Sequence, residues 1–393
     1  MGVQAGAGAS EKLQAAERAL RAGDPAAALQ ILRRAEAEQP GDIAVKMQLA
    51  VALRASGDLE GALAALDAAL ALDPYLSLAL LSKGFVLEKL GRPREAARVY
   101  RNALKIVPPD ERLPAQLAGP VARAREAVEA DTRAQVDWLR RRTAQVRARR
   151  PADAPARFDQ ALEVFAGAKR VYSPEPALLH YPELPPVQFF DRALFPWLPE
   201  LEAATDAIRA ELVQVMREDL EGFDPYIQYP PGVPVNQWVE LNHSPRWNSY
   251  FLWRNGERQE AHCARCPDTA AALARLPMLD QPGFGPTAMF SVLSPRTRIP
   301  PHTGSANTRL VVHLPLILPG RCRFRVGNDT REWRMGEAWV FDDTIEHEAW
   351  NDSDQTRVVL IFDVWNPFLS EAERELVAAM MTARNEYLAE EGG

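Results

Sequence analysis

Six histidines occur in 393 residues, and three of them, His302, His313 and His347, fall within one stretch, Phe290–Pro367. His302 sits in a turn-like PPHTG. His347 follows 45 residues later in DDTIEHEAW, where a new strand begins. Neutral imidazoles so separated suit opposite strands of a jelly roll and offer nitrogen ligands to a divalent metal. The usual iron pattern adds a carboxylate two residues after the first histidine. Gly304 stands there and cannot coordinate. An arginine, Arg357, enters one of the most apolar runs of the chain, TRVVLIFDVW. These residue types together point to a metal and oxo-acid site. Asp342, Glu346 and Glu348 are alternative acids, but Glu346 and Glu348 flank His347 and would leave its strand face, so a solvated strand entry describes them better. HCARC at 262–266 offers two thiols and an imidazole; without a second CxxC it is a weak zinc signal.

Positioning these groups requires strands. From about Trp238 the helical period stops, and short β-branched and aromatic segments alternate with Gly, Pro, Asn and Asp. They predict a double-sheet jelly roll of the cupin type, with flanking helices and a closing helix over 370–390. Upstream, Leu201, Ile208, Leu212 and Val215 mark the core face of an amphipathic helix. On the strands, Arg309, Val311 and His313 share one face and Leu310, Val312 and Leu314 the other. Ser291 shares a face with Met289 and Leu293, and Arg357 with Val359 and Ile361. Polar groups on apolar strands need partners or water, so Ser291, His313 and Arg357 suggest a polar pocket inside the barrel. Trp247, Asn248 and Arg254 in RWNSYFLWRNG are candidates for a substrate groove.

The segments LPPVQFFDRALFPWLPELE, FSVLSPRTRIPPHTGSANTRLVVHL and FDDTIEHEAWNDS, with an arginine ten residues past His347, carry a resemblance. Residues 170–393 resemble the aspartyl/asparaginyl β-hydroxylase family of iron- and 2-oxoglutarate-dependent oxygenases, which hold iron by two histidines with a glycine where the acid would stand. The resemblance implies Fe(II) bound by His302 and His347. It implies 2-oxoglutarate held at its distal carboxylate by Arg357 and Ser291, with His313 contacting the cosubstrate near the metal. Asp343 would be the catalytic residue that orients a metal-bound water in place of the missing ligand. Arg309, Trp247 and Asn248 would face substrate. Animal members carry a second arginine where this chain has Val311. The implied reaction is hydroxylation of an Asp- or Asn-type side chain in a peptide or protein, with succinate and CO₂ as coproducts. The alternatives are the same chemistry on a lipid acyl chain or small molecule, halogenation, or an inactive domain on a scaffold.

The first 110 residues repeat themselves. Gly23, Gly57 and Gly91 are spaced by 34, as are Ala28, Ala62 and Ala96, Ala35, Ala69 and Ala103, and Pro40, Pro74 and Pro108. This is the tetratricopeptide period, predicting about three helix pairs over 10–110 in an α-solenoid whose groove would capture a peptide or protein. Residues 1–9 are expected to be disordered. A helical connector, broken by PADAP at 151–155, spans 111–169.

Composition narrows the partners. Net charge is −7, which argues against nucleic acid; RRRTAQVRARR at 140–150 reads as a solvated helix face. No secretory leader or membrane span is recognisable, and three cysteines make no disulfide framework, so a cytoplasmic setting without membrane attachment is the expectation.

Overall fold

The computed structural model describes residues 3–149 and 156–390; the break expected at 151–155 lies outside them. The chain divides into two compact units, one ending at Arg170 and one starting at Val171.

The first unit is helical. Three antiparallel pairs follow one another: α1 (Val3–Arg21) with α2 (Pro25–Glu38), α3 (Ile43–Ala55) with α4 (Leu59–Leu72), and α5 (Ser77–Lys89) with α6 (Pro93–Leu104). α1 begins at Val3 rather than after the disordered stretch expected over 1–9; no proline stands there to stop it. Gly23, Gly57 and Gly91 turn each pair with φ of 75°, 88° and 70°, which an L side chain resists. Asp24 and Asp58 then cap the second helices, accepting from Ala27 N and Gly61 N. The repeated alanines at 28, 62 and 96 are fully buried where the helices of a pair meet. In the third pair a glycine does the same: a Cβ at Gly84 would overlap the buried Tyr100 ring. Gly84→Ala should therefore destabilise this unit by about 1–3 kcal/mol, read as a lowered urea midpoint; an unchanged midpoint would show that the ring moves freely. α7 (Ala115–Ala148) buries Val121 and Ala124 in the repeat core, and α8 (Ala156–Phe165) packs on its distal half through Val136 and Leu162. The described part of the basic run lies on an exposed face, where Arg140 meets Glu163 and Arg147 meets Asp159.

The second unit contains two antiparallel sheets. Its helices are α9 (Leu198–Ala203), α10 (Thr205–Glu218), α11 (Glu260–Arg265), α12 (Pro267–Ala274) and α13 (Glu371–Glu390). Its strands are β1 (Asp224–Pro225), β2 (Trp247–Arg254), β3 (Glu257–Arg258), β4 (Ala288–Leu293), β5 (Thr297–His302), β6 (Arg309–Ile317), β7 (Cys322–Val326), β8 (Asp329–Glu332), β9 (Trp339–Phe341), β10 (His347–Asn351) and β11 (Arg357–Trp365). The larger sheet runs β1-β2-β4-β11-β6-β9, with β3 on β2, and the smaller β5-β10-β7-β8. Apart from the β7–β8 hairpin, strands β4 to β11 alternate between the sheets in the jelly-roll manner.

Side-chain alternation gives the larger sheet two apolar faces. Leu310, Val312, Leu314 and Leu360 join one core with Leu201, Ile208, Leu212 and Val215 of α9 and α10. Val311 and Val359 turn inward to a second core with Phe324, Val326 and Ala349 of the smaller sheet. α13 covers a separate cluster through Val377 and Met381.

Candidate functional site

Between the sheets lies a cavity of about 530 Å³. β5 ends and β10 begins at its wall, and register pairs His347 directly with His302. Their ring centroids are 4.0 Å apart. Each ring is anchored in the same way: His302 Nδ1 lies 2.8 Å from Pro300 O, and His347 Nδ1 lies 3.1 Å from Ile345 O. A carbonyl can only accept, so the facing ring nitrogen must donate: the proton resides on Nδ1 and the Nε2 lone pair is left for a ligand. Loss of water lowers both groups, His302 to about 3 and His347 to about 4. Both rings are therefore neutral at physiological pH and available for coordination.

Deeper in the cavity stands Arg357, 1% exposed. Its guanidinium lies over the Trp333 ring at 4.8 Å, and neither Nε nor Nη1 has a hydrogen-bond partner. Burial lowers it to about 10, so it remains cationic at neutral pH. A buried cation with free donors is costly unless an anion joins it. Ser291 is fully buried nearby in the same cavity wall, its Oγ accepting from Trp247 Nε1 at 3.0 Å. His313 packs among Phe324, Phe341 and Trp333 with Nδ1 unpartnered. Burial, then the Arg357 charge, holds it well below the ordinary histidine value. The donor set suits a metal with a dicarboxylate: two free imidazole nitrogens at the wall and a buried, unneutralised guanidinium behind them.

Gly304 and Asp343 explain each other. A Cβ at Gly304 would overlap the Asp343 carboxylate, and Gly304 N donates to Asp343 O at 2.6 Å. The acid thus fills the space into which a residue-304 side chain would grow. Asp343 Oδ2 accepts from Arg309 Nη2 at 2.8 Å, while Oδ1 has no partner. Arg309 also lies 3.8 Å from Asp363 Oδ2. Asp363 Oδ1 accepts from Thr287 N at 2.9 Å, and burial raises this acid to about 6.

Of the residues singled out from sequence, His302, His347, His313, Arg357, Ser291, Asp343, Arg309, Trp247 and Arg254 line the cavity. Asn248 does not: it follows Trp247 on β2, and adjacent strand residues point to opposite faces. Glu348 is no solvated strand entry. It is 5% exposed and clasped by Arg298 and by Arg325 Nε at 2.5 Å, while Glu346 takes Arg325 Nη2 at 2.8 Å. Cys263 and Cys266 are buried, and burial pushes the Cys266 thiol up to about 12, which suits packing rather than zinc. Sequence reading misses Trp238, whose ring sits 4.9 Å from His302; Tyr226, 4.3 Å from the Trp247 ring; and Asp363. Asp363 is within reach of the sequence, because the parity linking Arg357, Val359 and Ile361 arrives there one step later.

Asp342 is 1% exposed and turned into Thr344, accepting from its N at 2.9 Å and its Oγ1 at 2.5 Å. Burial raises it to about 6. Its protonated form is the one folding favours, so its stabilising contribution is present below about pH 4 and lost as pH rises through about 6. Asp342→Asn should therefore gain Tm relative to the parent between pH 4 and 7; parallel Tm curves would contradict this.

Residues 202–367 match the family described as Aspartyl/Asparaginyl beta-hydroxylase, and residues 19–81 match a tetratricopeptide repeat family. The chain is 38% identical over 192 residues to the ornithine lipid ester-linked acyl 2-hydroxylase of Rhizobium tropici, covering 48% of this chain and 63% of that protein. It is 36% identical over 141 residues to the aspartyl/asparaginyl beta-hydroxylase of Homo sapiens, covering 36% of this chain and 18% of that one. The chain thus spans less than two thirds of either relative. Among solved structures, the Sgt2 TPR domain from Aspergillus fumigatus aligns with 32% of this chain and 82% of its own, at 17% identity and a TM-score of 0.28. The chain thus carries a segment matching tetratricopeptide repeats and, over residues 202–367, a domain matching the aspartyl/asparaginyl β-hydroxylase family, and the relatives it resembles there are named as hydroxylases.

Proposed function

We propose that the second unit is an Fe(II)- and 2-oxoglutarate-dependent hydroxylase acting on an Asp- or Asn-type side chain of a peptide or protein. The observation that carries this reading is Arg357, a buried guanidinium with two unpartnered nitrogens in the cavity that also holds the paired histidines. His302 and His347 would hold the metal through Nε2. Arg357 would bind the distal carboxylate of the diacid, with the Ser291 hydroxyl as a further donor, and His313 would contact the cosubstrate beside the metal. When bound, iron and 2-oxoglutarate supply the O₂-dependent oxidation that hydroxylates an sp³ carbon and yields succinate and CO₂. Phe324, Phe341 and Trp247 give the cavity wall apolar surface, and Asp343, braced by Arg309, presents a carboxylate oxygen in the same cavity as the histidine pair. The repeats would recruit the peptide or protein substrate or a separate partner.

A second reading replaces the peptide with a lipid acyl chain. Val311 favours it, an apolar residue in the cavity wall. So does the likeness to the Rhizobium tropici acyl hydroxylase, which extends over more of this chain than the likeness to the human protein.

Calorimetry tests the cofactor assignment. 2-Oxoglutarate should bind only in the presence of Mn(II) or Fe(II), and His302→Ala and His347→Ala should each abolish that metal dependence while leaving the circular dichroism spectrum unchanged. Metal-dependent binding that survives both substitutions would remove the ligand assignment. Succinate release with a peptide or with a phospholipid-like acyl substrate then separates the two readings.

A further inference from the structure

Among the described residues lining the cavity, three side chains are permanently cationic: Arg254, Arg309 and Arg357. Arg357 is fully buried in the part of the cavity assigned to the diacid. Arg254 is exposed at the end of β2, over the Phe251 ring at 4.9 Å. Arg309 is the remaining cation for a group presented beside the histidine pair, and it is already engaged. Its Nη2 lies 2.8 Å from Asp343 Oδ2 and its Nη1 lies 3.8 Å from Asp363 Oδ2. One guanidinium therefore faces two carboxylates. The next inward-facing residue of β6 is Val311, opposite Phe341 and unable to donate a hydrogen bond. A carboxylate entering beside the histidine pair would find Arg309 already engaged and would meet the two like charges of Asp343 and Asp363, which disfavours it; apart from Arg357 in the diacid part, Arg254, exposed at the end of β2, is the one described lining cation outside this bracket. An alkyl or amide group meets no such penalty, and an amide N–H has an acceptor waiting in Asp343 Oδ1.

We infer that the carbon this site oxidises lies beside a neutral group and not a carboxylate, with Val311 and the Asp343–Arg309–Asp363 bracket as the specificity determinants. The inference rests on the cofactor reading above and narrows its substrate class: an amide or alkyl group is preferred to an aspartyl carboxylate.

Two isosteric fragments, propionamide and propionate, stand in for the two kinds of side chain and test it directly. The full chain is loaded with Mn(II) and saturating 2-oxoglutarate, and paramagnetic relaxation of each fragment's methyl protons is measured by NMR. Relaxation of 2-oxoglutarate itself reports that the site is filled; its absence would count against the cofactor reading, not against the selectivity. The neutral fragment should be relaxed at least about tenfold more than the anion, consistent with that charge penalty. Val311→Arg should reverse the order. Should that variant fail to fold, Asp363→Asn, which releases Arg309 on one side, should raise the propionate effect severalfold. Propionate relaxed as strongly as propionamide in the unaltered protein, or neither fragment relaxed, overturns the inference.

Discussion

Arg357→Met is expected to abolish 2-oxoglutarate binding while leaving the apo fold at least as stable as the parent. The two effects have one cause. In the apo protein this guanidinium is 1% exposed, and its Nε and Nη1 donate to nothing. Replacing buried charge with an apolar chain of similar volume is often neutral or stabilising, by about 1–4 kcal/mol. The diacid reverses the balance, because a carboxylate supplies the acceptors that the free donors lack. Losing one partner of a buried, hydrogen-bonded charge pair costs about 2–5 kcal/mol, so affinity should fall by at least about thirtyfold. Thermal melts measure both. Parent Tm should climb as metal and 2-oxoglutarate are added together. The methionine variant should start no lower and respond to metal alone. A variant still stabilised by 2-oxoglutarate would place the diacid elsewhere.

The second large effect concerns Gly304. Installing aspartate there resembles completing an iron site with its absent carboxylate, yet it should weaken metal binding. The new Cβ overlaps the Asp343 carboxylate. That acid must move, and its bond to Arg309 goes with it, leaving a largely buried guanidinium short of a partner. Overpacking alone costs about 1–3 kcal/mol, and disrupting a buried ion pair about 3–5 kcal/mol. Gly304→Asp should thus lower stability by several kcal/mol and cut metal affinity at least tenfold. Adding Asp343→Ala removes the collision and keeps one carboxylate near Arg309. The double variant should recover about 1–3 kcal/mol relative to the sum of the single changes. Strict additivity in a urea denaturation cycle would mean that the two positions do not compete for space.

How much of this is legible in the sequence depends on the range of the interaction. The repeats are readable because a 34-residue period writes helix, turn and packing contacts into local sequence three times. The histidine pair and Arg357 are readable because a polar residue in an apolar strand is conspicuous and parity tells its face. Parity also speaks against Asn248 as a companion of Trp247, since neighbours on a strand cannot share a face. Glu348 misleads for a different reason. Its partners, Arg298 and Arg325, come from the two strands on either side of β10, and no local pattern reveals which strands those are. The commitment of Arg309 to two acids is hidden in the same way, since Asp343 and Asp363 lie 34 and 54 residues downstream.

The two ring anchors divide the site by how it can change. Pro300 and Ile345 each contribute a carbonyl, and each precedes its histidine by two residues. Any amino acid carries a carbonyl, so the orientation of the histidine pair depends on the path of the strands rather than on neighbouring side chains. The opposite wall is written in side chains: Val311, Arg309, Asp363 and Tyr226. Substitutions there can retune what enters without rotating either imidazole. A fold arranged in this way keeps its reactive centre constant under drift while its choice of substrate remains open to revision.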